Sequence, residues 1–410
     1  MFHRQYEVRH ITEIIDNRKI KDLLEREKKL HRFGLMTYML PIQGSASHKV
    51  MVDNQELLML GSYSYLGLIT HPEIIATAHE AIDKYGSGAG GVRLLTGTAD
   101  IHEQLEKRIS EFKHTEGTVV YSSGYVTNMT LISTLFGKED LILIDKYDHQ
   151  SIYDGCILSK AEWKRFNHND INDLERLLKE HRPNYKRVLV IVDGVYSMDG
   201  DIAPMPEIIE TAKKYDSFTM VDEAHALGTI GPNGRGVDDY FNLEPGSVDI
   251  FMGTLSKAIP SIGGYIAARK EVISYLKFTS NAFVFSAALP PICAAVALKA
   301  FDIIENDKDL IRKLQKNYTH FITGVQELGF DTLRSKDTPI VPVIIGDDIK
   351  TFRFAKKMKK EGIFVPPIVF PAVPKEAGRL RCCVMATHTE EEVDFILETM
   401  GKIGKSMDVI

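Results

Sequence analysis

Between residues 57 and 268, short apolar runs at 118–121, 141–144, 188–192, 219–221 and 250–252 alternate with stretches of helical periodicity. That rhythm constrains the fold more than any other feature of the chain. Brief apolar runs separated by helix-length segments predict an α/β domain whose strands are mostly parallel, because each strand must be reached by a crossover. Every run ends in small or polar residues: Ser122-Ser123-Gly124, Asp145, Asp193-Gly194, Asp222-Glu223-Ala224-His225 and Gly253-Thr254. Ligands of open α/β sheets sit at those carboxyl ends, so the chemistry is expected there.

A helical stretch from Pro291 to about Leu328 predicts the connection to a second unit. Beyond it, 340–344 and 380–385 read as strands and 349–361 and 390–403 as helices, which makes a smaller α+β domain. At 410 residues the chain exceeds the usual size of one core. The expected layout is an N-terminal helical segment over 1–50, a large α/β domain over 51–290, and an interdomain helix with a small C-terminal domain over 291–410.

A net charge of -6 disfavours a polyanion binder, so nucleic acid is not an expected partner. The four cysteines, Cys156, Cys293, Cys382 and Cys383, lack the paired spacing of metal sites. No metal is expected, and with an N-terminus unlike a secretory signal they point to a reducing cytoplasm. No apolar run approaches the roughly 20 residues of a membrane span. Residues 1–30, with charges around Leu23, Leu24 and Leu30, read as a peripheral helix, which leaves weak attachment to a membrane surface open.

Four strand-end constellations carry candidate chemistry. In Gly253-Thr254-Leu255-Ser256-Lys257, followed by Gly263-Gly264, a lysine stands beside hydroxyls just past an apolar strand. A desolvated amine there suits the capture of a carbonyl as a Schiff base, and the same pentapeptide also suits a surface turn. Asp222 ends another strand three residues before His225. It can protonate a pyridine nitrogen or simply cap a helix. Ser122-Ser123-Gly124-Tyr125 lies between a strand and a helix starting near Val126, where backbone N–H groups favour a phosphate or where the turn is plain punctuation. His149, in Asp145-Lys146-Tyr147-Asp148-His149, can stack on a flat ring or be a structural histidine.

Taken in order, Tyr85-Gly86-Ser87-Gly88, Arg93 with Gly97-Thr98, Gly124-Tyr125, Asp148-His149, Ser197-Met198-Asp199-Gly200, Asp222-Glu223-Ala224-His225, Thr254-Leu255-Ser256-Lys257 and Phe285-Ser286 resemble the α-oxoamine synthases. The resemblance implies the pyridoxal-phosphate-dependent aminotransferase fold type I, a large domain with a mostly parallel central sheet and a smaller C-terminal α+β domain. It implies pyridoxal 5'-phosphate as cofactor, with Lys257 bonded to its aldehyde, Asp222 against its ring nitrogen and His149 stacked on the ring as the catalytic set. Gly124 and Tyr125 would line the cofactor, Ser197 and His225 would lie near its hydroxyl, and Thr254 would bind its phosphate. Ser286 would reach that phosphate from the second subunit of a homodimer. Arg381, in Arg379-Leu380-Arg381, matches the arginine that holds the substrate carboxylate, a role suited to a planar fork, and Ser64 joins the substrate site. Lys356, Lys357, Lys359 and Lys360 read as a solvated helix face.

Within that family, Leu60-Gly61-Ser62-Tyr63-Ser64-Tyr65-Leu66-Gly67, Phe370-Pro371-Ala372-Val373-Pro374 and Arg381-Cys382-Cys383 look most like the serine palmitoyltransferases. This predicts L-serine and a long-chain acyl-CoA as substrates, with CoA, CO2 and a 2-amino ketone as products. Ser64 in place of the usual asparagine, and Pro260 in a usually glycine-rich turn, depart from the pattern. The alternative is glycine or alanine with a shorter acyl thioester on coenzyme A or an acyl carrier protein, as in 2-amino-3-ketobutyrate CoA ligase or 8-amino-7-oxononanoate synthase. A non-catalytic partner subunit is opposed by the presence of Lys257, Asp222, His149 and Arg381 together. An ordinary aminotransferase would share the fold.

Overall fold

The structure is a computed structural model whose described residues are 17–410, so the part of the expected N-terminal helix before residue 17 lies outside them. The helix Arg18–Arg32 begins at Asn17, whose side chain accepts from the Lys19 N–H. A hairpin follows, β1 (Lys49–Val52) and β2 (Gln55–Met59), which turns at Asp53-Asn54. Both turn residues have positive φ, 52° and 59°, the conformation that fits a two-residue turn to the strand twist. Residues 51–59 were expected to open the large domain. Instead β2 pairs in parallel with the strand Ile363–Phe364, so the hairpin shares a sheet with the C-terminal unit.

The central sheet has seven strands: β3 (Gly117–Tyr121), β4 (Asp140–Asp145), β5 (Glu162–Phe166), β6 (Arg187–Asp193), β7 (Phe218–Asp222), β8 (Ile250–Thr254) and β9 (Gly264–Ala268), in the order β3-β9-β8-β7-β6-β4-β5. All neighbours are parallel except β9, which runs antiparallel between β3 and β8. The five anticipated runs are all strands. β5 and β9 were not anticipated, because Glu162-Trp163-Lys164-Arg165 is an edge strand rich in charge and β9 begins in glycine.

Strand alternation decides which face each residue serves. Val120, Leu141, Leu143, Val190, Val221 and Phe251 pack into one buried layer. Val119, Ile142, Ile144, Ile191, Met220 and Met252 pack into the other, together with Leu131, Ile132, Ile152 and Cys156 of the helices Gly124–Leu135 and Gln150–Ser159. Asp193, Asp222 and Thr254 keep the parity of this second layer. Their side chains therefore emerge on the face those two helices cover.

The helix Gly124–Leu135 starts hard against the sheet. A methyl group on Gly264 would lie 2.7 Å from the Gly124 Cα, and one on Gly124 would lie 2.8 Å from the Thr254 Oγ1. Only glycine at both positions lets the helix N-terminus approach the ends of β8 and β9 this closely.

The stretch after Pro291, read as one helix, is two, Pro291–Asn306 and Lys308–Glu327. Asp307 breaks it, because its side chain accepts from the Asp309 N–H and caps the second helix. The C-terminal unit places β10 (Ile340–Gly346), β12 (Pro367–Ile368) and β13 (Gly378–Cys383) in the antiparallel order β10-β13-β12, with β11 (Ile363–Phe364) given to the hairpin sheet. The helices Asp348–Lys360 and Glu390–Ser406 flank it. Among the described residues no helix is long and apolar enough to cross a membrane, and no His, Cys, Asp and Glu side chains cluster as a metal site would require.

Candidate active site

A cavity of about 250 Å3 opens at the carboxyl ends of β6, β7 and β8 and gathers Gly124, Tyr125, His149, Asp222, His225, Thr254 and Lys257. These residues come from four separate segments of the chain. The strand parity described above brings Asp222 and Thr254 to this side, the starts of the two covering helices bring Gly124, Tyr125 and His149, and the segments that follow β7 and β8 bring His225 and Lys257.

Asp222 is buried and its two oxygens take different donors. Oδ1 accepts from the Ala224 N–H at 2.8 Å and Oδ2 from the Asn128 side chain at 2.7 Å. The helix at Gly124 begins without help from Ser123, whose side chain makes no capping bond. Its first N–H groups are free to meet an anion, with Thr254 and Ser256 hydroxyls 2.9 Å apart nearby.

The Lys257 Nζ lies 2.8 Å from the His225 Nε2, and the His225 Nδ1 lies 2.7 Å from the Tyr65 hydroxyl. Burial, with the Arg381 charge, outweighs the attraction of Asp222 and Asp193 and pushes the Lys257 amine down to about 8. Burial also holds His225 well below the usual histidine range, and the Lys257 and Arg381 charges add to it. An ammonium donating to Nε2 leaves the His225 proton on Nδ1, directed at Tyr65.

Arg379 and Arg381 project from the same face of β13, two residues apart, yet the surroundings separate their roles. Arg379 forms an ion pair with Asp199 and donates to the Met198 carbonyl. Arg381 is buried, donates through Nε to the Ser197 carbonyl at 2.5 Å and through Nη1 to the Cys383 Sγ at 3.2 Å. Its guanidinium lies 4.6 Å from the centre of the Tyr63 ring, and the Lys257 amine lies 5.9 Å from the same ring. No carboxylate of the described residues pairs with it. A buried cation without a counter-ion is costly unless an anionic ligand completes it.

The remaining expected residues stand apart from the cavity. Ser197 lines an adjoining groove of about 1140 Å3 and touches the site through its carbonyl on Arg381. Ser64 is buried, and its hydroxyl has no partner. Ser286 is half-buried, on the segment after the helix Asn281–Val284, next to an exposed Phe285, and borders neither the cavity nor the groove in its own chain. Asn128, Ser151 and Asp193 line the cavity without having been selected as site residues. The available signal for Asn128 was a polar residue one turn inside an apolar helix. For Asp193 it was a carboxylate ending the strand next to that of Asp222, with which it is in register.

These features fit pyridoxal phosphate: an amine of lowered pKa, a buried carboxylate for the ring nitrogen, a histidine at the cavity wall, and an uncapped helix N-terminus for the phosphate. The acceptor Asn128 Oδ1, buried without a partner, also fits a bound group carrying a donor.

The family model of aminotransferase class I and II matches residues 55–400. The chain is 44% identical to 8-amino-7-oxononanoate synthase of Thermoanaerobacter pseudethanolicus, over 95% of this chain and 98% of that one. Among solved structures, serine palmitoyltransferase from S. paucimobilis with pyridoxal phosphate and myriocin bound superposes with a TM-score of 0.92 at 32% identity, over 98% of this chain and 100% of that one. The 8-amino-7-oxononanoate synthase of Francisella tularensis gives a TM-score of 0.74 at 26% identity, covering 86% and 99%. The cavity chemistry and these similarities agree: the chain belongs to the α-oxoamine synthases within aminotransferase class I and II, and is a pyridoxal-phosphate-dependent acyltransferase.

Proposed function

We propose that the protein condenses L-alanine with a seven-carbon ω-carboxyacyl thioester, releasing CO2 and the free thiol and forming 8-amino-7-oxononanoate. The observation that carries this reading is the 44% identity, across nearly the whole chain, to an enzyme of that name. The carbon skeleton of that product supports these substrates: its last two carbons match alanine without its carboxyl carbon, and its first seven match an acyl group ending in a carboxylate. This replaces serine and a long acyl chain as the leading assignment.

The groove beside the cavity supports an acyl donor with a charged end. Lys146, Arg165 and Arg334 line it, and none of them has a carboxylate partner among the described residues, while Leu333, Pro371 and Val373 supply apolar wall. A chain with methylenes in the middle and a carboxylate at its tip matches that mixture.

Pyridoxal phosphate, when bound, supplies an aldehyde that captures the amino group and a ring that accepts electrons from the α carbon. Asp222 would hold the ring nitrogen, the helix start at Gly124 with Thr254 would hold the phosphate, and His149 would cover the ring. Arg381 would seat the alanine carboxylate and so orient the amino acid. Lys257, lowered to about 8, removes the α proton and later returns one. The α carbon bonds to the thioester carbonyl, the thiol leaves, and loss of CO2 followed by reprotonation completes the balance. Ser286 of a second copy would complete the phosphate seat, which would make the active form a dimer.

A second reading, L-serine with a long-chain acyl-CoA, is favoured by one observation, the higher TM-score to serine palmitoyltransferase. Thiol release from heptanedioyl-CoA and palmitoyl-CoA, each with alanine and with serine, separates the two. Turnover of alanine with the seven-carbon donor supports the first reading, and turnover only of serine with palmitoyl-CoA replaces it by the second.

A further inference from the structure

Beneath the cavity, four side chains from three elements form a continuous hydrogen-bonded line. The Asn128 Nδ2 lies 2.7 Å from the Asp222 Oδ2 and 2.9 Å from the Ser151 Oγ, and the Ser151 Oγ lies 2.8 Å from the His149 Nδ1. Asn128, Ser151 and Asp222 are buried, whereas the His149 ring opens to the cavity.

The donors and acceptors along this line can be assigned without seeing a hydrogen. The amide orientation of Asn128 is set by Asp222, because turning it over would place Oδ1 against a carboxylate oxygen at 2.7 Å. Nδ2 has two hydrogens, one for Asp222 and one for Ser151. The Ser151 oxygen therefore accepts from Asn128, and its own hydrogen is left for the His149 Nδ1. The Ser151 backbone N–H also points at that nitrogen, at 3.3 Å, and a backbone N–H can only donate. Two donors meet on Nδ1, so the ring proton belongs on Nε2.

We propose that Asn128 and Ser151 act as a positioning relay that fixes His149 as its Nε2–H tautomer and ties its orientation to that of Asp222. The relay deepens the proposed function, since it concerns the same site, and it gives the ring-covering histidine one defined donor instead of two interchangeable nitrogens. A proton on Nδ1 would leave the Ser151 hydroxyl hydrogen without an acceptor, so the line also resists formation of the imidazolium. The charged or titratable groups facing His149 are Asp222 on β7, Asp193 at the end of β6, Asp154 on its own helix, Lys257 and His225 across the cavity, and Tyr125 edge-on at 5.9 Å. Burial, with the Lys257 charge, outweighs the carboxylates and lowers the His149 pKa, in the direction the relay requires.

The test is nitrogen-15 NMR of the histidine rings in the pyridoxal-phosphate-loaded protein, with the His149 signals assigned by their loss in His149→Asn. The relay predicts an unprotonated Nδ1 and a protonated Nε2 in the wild type. In Ser151→Ala, where only the longer backbone N–H at 3.3 Å still donates to Nδ1, it predicts a weakened Nε2–H preference and protonation of His149 at a pH higher by roughly 0.5 to 1 unit, with the acid limb of kcat/KM moving equally. Ser151→Thr, which keeps the hydroxyl, restores the wild-type pattern. A wild-type ring protonated on Nδ1 overturns the proposal even if no variant folds. So would a Ser151→Ala protein with unchanged His149 shifts and acid limb. Because the NMR readout needs no turnover, it stands whichever substrates the enzyme uses.

Discussion

Replacing Arg381 by lysine keeps a positive charge on β13 but removes the planar fork. In the structure the guanidinium spends Nε on the Ser197 carbonyl and one edge on the Cys383 sulfur, stacks on Tyr63, and meets no carboxylate. Its uncommitted N–H groups are the ones a substrate carboxylate would take. A charge-assisted hydrogen bond of this kind contributes about 1.5 to 3 kcal/mol, so Arg381→Lys should lower kcat/KM for alanine roughly 10- to 150-fold, mostly through KM. Arg379→Lys is the control, because Arg379 already has Asp199 as its anion and should change the alanine KM by no more than about 3-fold. The assay is initial-rate thiol release against alanine concentration at saturating acyl thioester, with thermal melts of both variants to exclude unfolding. An unchanged KM in Arg381→Lys, or an equal rise in Arg379→Lys, would refute the reasoning.

Three further outcomes follow from the geometry. A lysine must be neutral to attack an aldehyde, so the rate of pyridoxal phosphate incorporation, read from the visible absorbance, should rise with pH through about 8, and Lys257→Ala should show no such band; a rise centred near the ordinary lysine value would contradict the assignment. His168 is held between Asp145 and Asp201 at 2.9 and 2.8 Å, and although burial opposes its charge, the two carboxylates raise it from 6.5 to about 9. The folded value lies above the unfolded one, so the clamp's stabilisation, on the order of 3 kcal/mol, is complete below pH 6.5 and fades as pH rises through 9. Melting temperatures across that window should fall for the wild type and stay flatter for His168→Asn. Gly124→Ala places a methyl 2.8 Å from the Thr254 Oγ1 and should weaken pyridoxal phosphate binding by about 1 to 3 kcal/mol, measured as the dissociation constant of the cofactor; an unchanged constant would mean that the helix start does not hold the phosphate.

The sheet was legible in the sequence because each parallel strand is buried on both faces and must be nearly all apolar, and because its polar terminus marks where it stops. Strands that break this condition, charged β5 and glycine-led β9, left no such mark. Asp222, His149, Thr254 and Lys257 could be picked out from their positions at or just beyond strand ends, and strand parity then places Asp222 and Thr254 on one side. Asn128 stood out only as a polar residue inside an apolar helix and Ser151 not at all, because a polar residue in a helix looks the same whether it faces solvent or a buried carboxylate. Arg379 and Arg381 are indistinguishable in sequence, and what separates them is Asp199, contributed from a loop some 180 residues earlier. The segments that suggested serine palmitoyltransferase serve structural ends near the site. Tyr63 and Tyr65 surround Arg381 and His225, Cys383 holds the Arg381 guanidinium, and 371–374 form part of the groove wall. The contacts to Arg381 and His225 do not sense the acyl chain, and the apolar wall at 371–374 suits the methylenes of a long or a short one alike, which explains why the motif pointed to the family and not to the substrate.

The most direct test of the central claim uses the pyridoxal-phosphate-loaded enzyme with alanine labelled with carbon-13 at the carboxyl group and heptanedioyl-CoA as donor, following free thiol, labelled CO2 and product mass together. The account predicts one thiol and one labelled CO2 for each molecule of a nine-carbon amino keto acid that carries no label. Release of a labelled keto acid from alanine without CO2 or thiol would show transamination and contradict it.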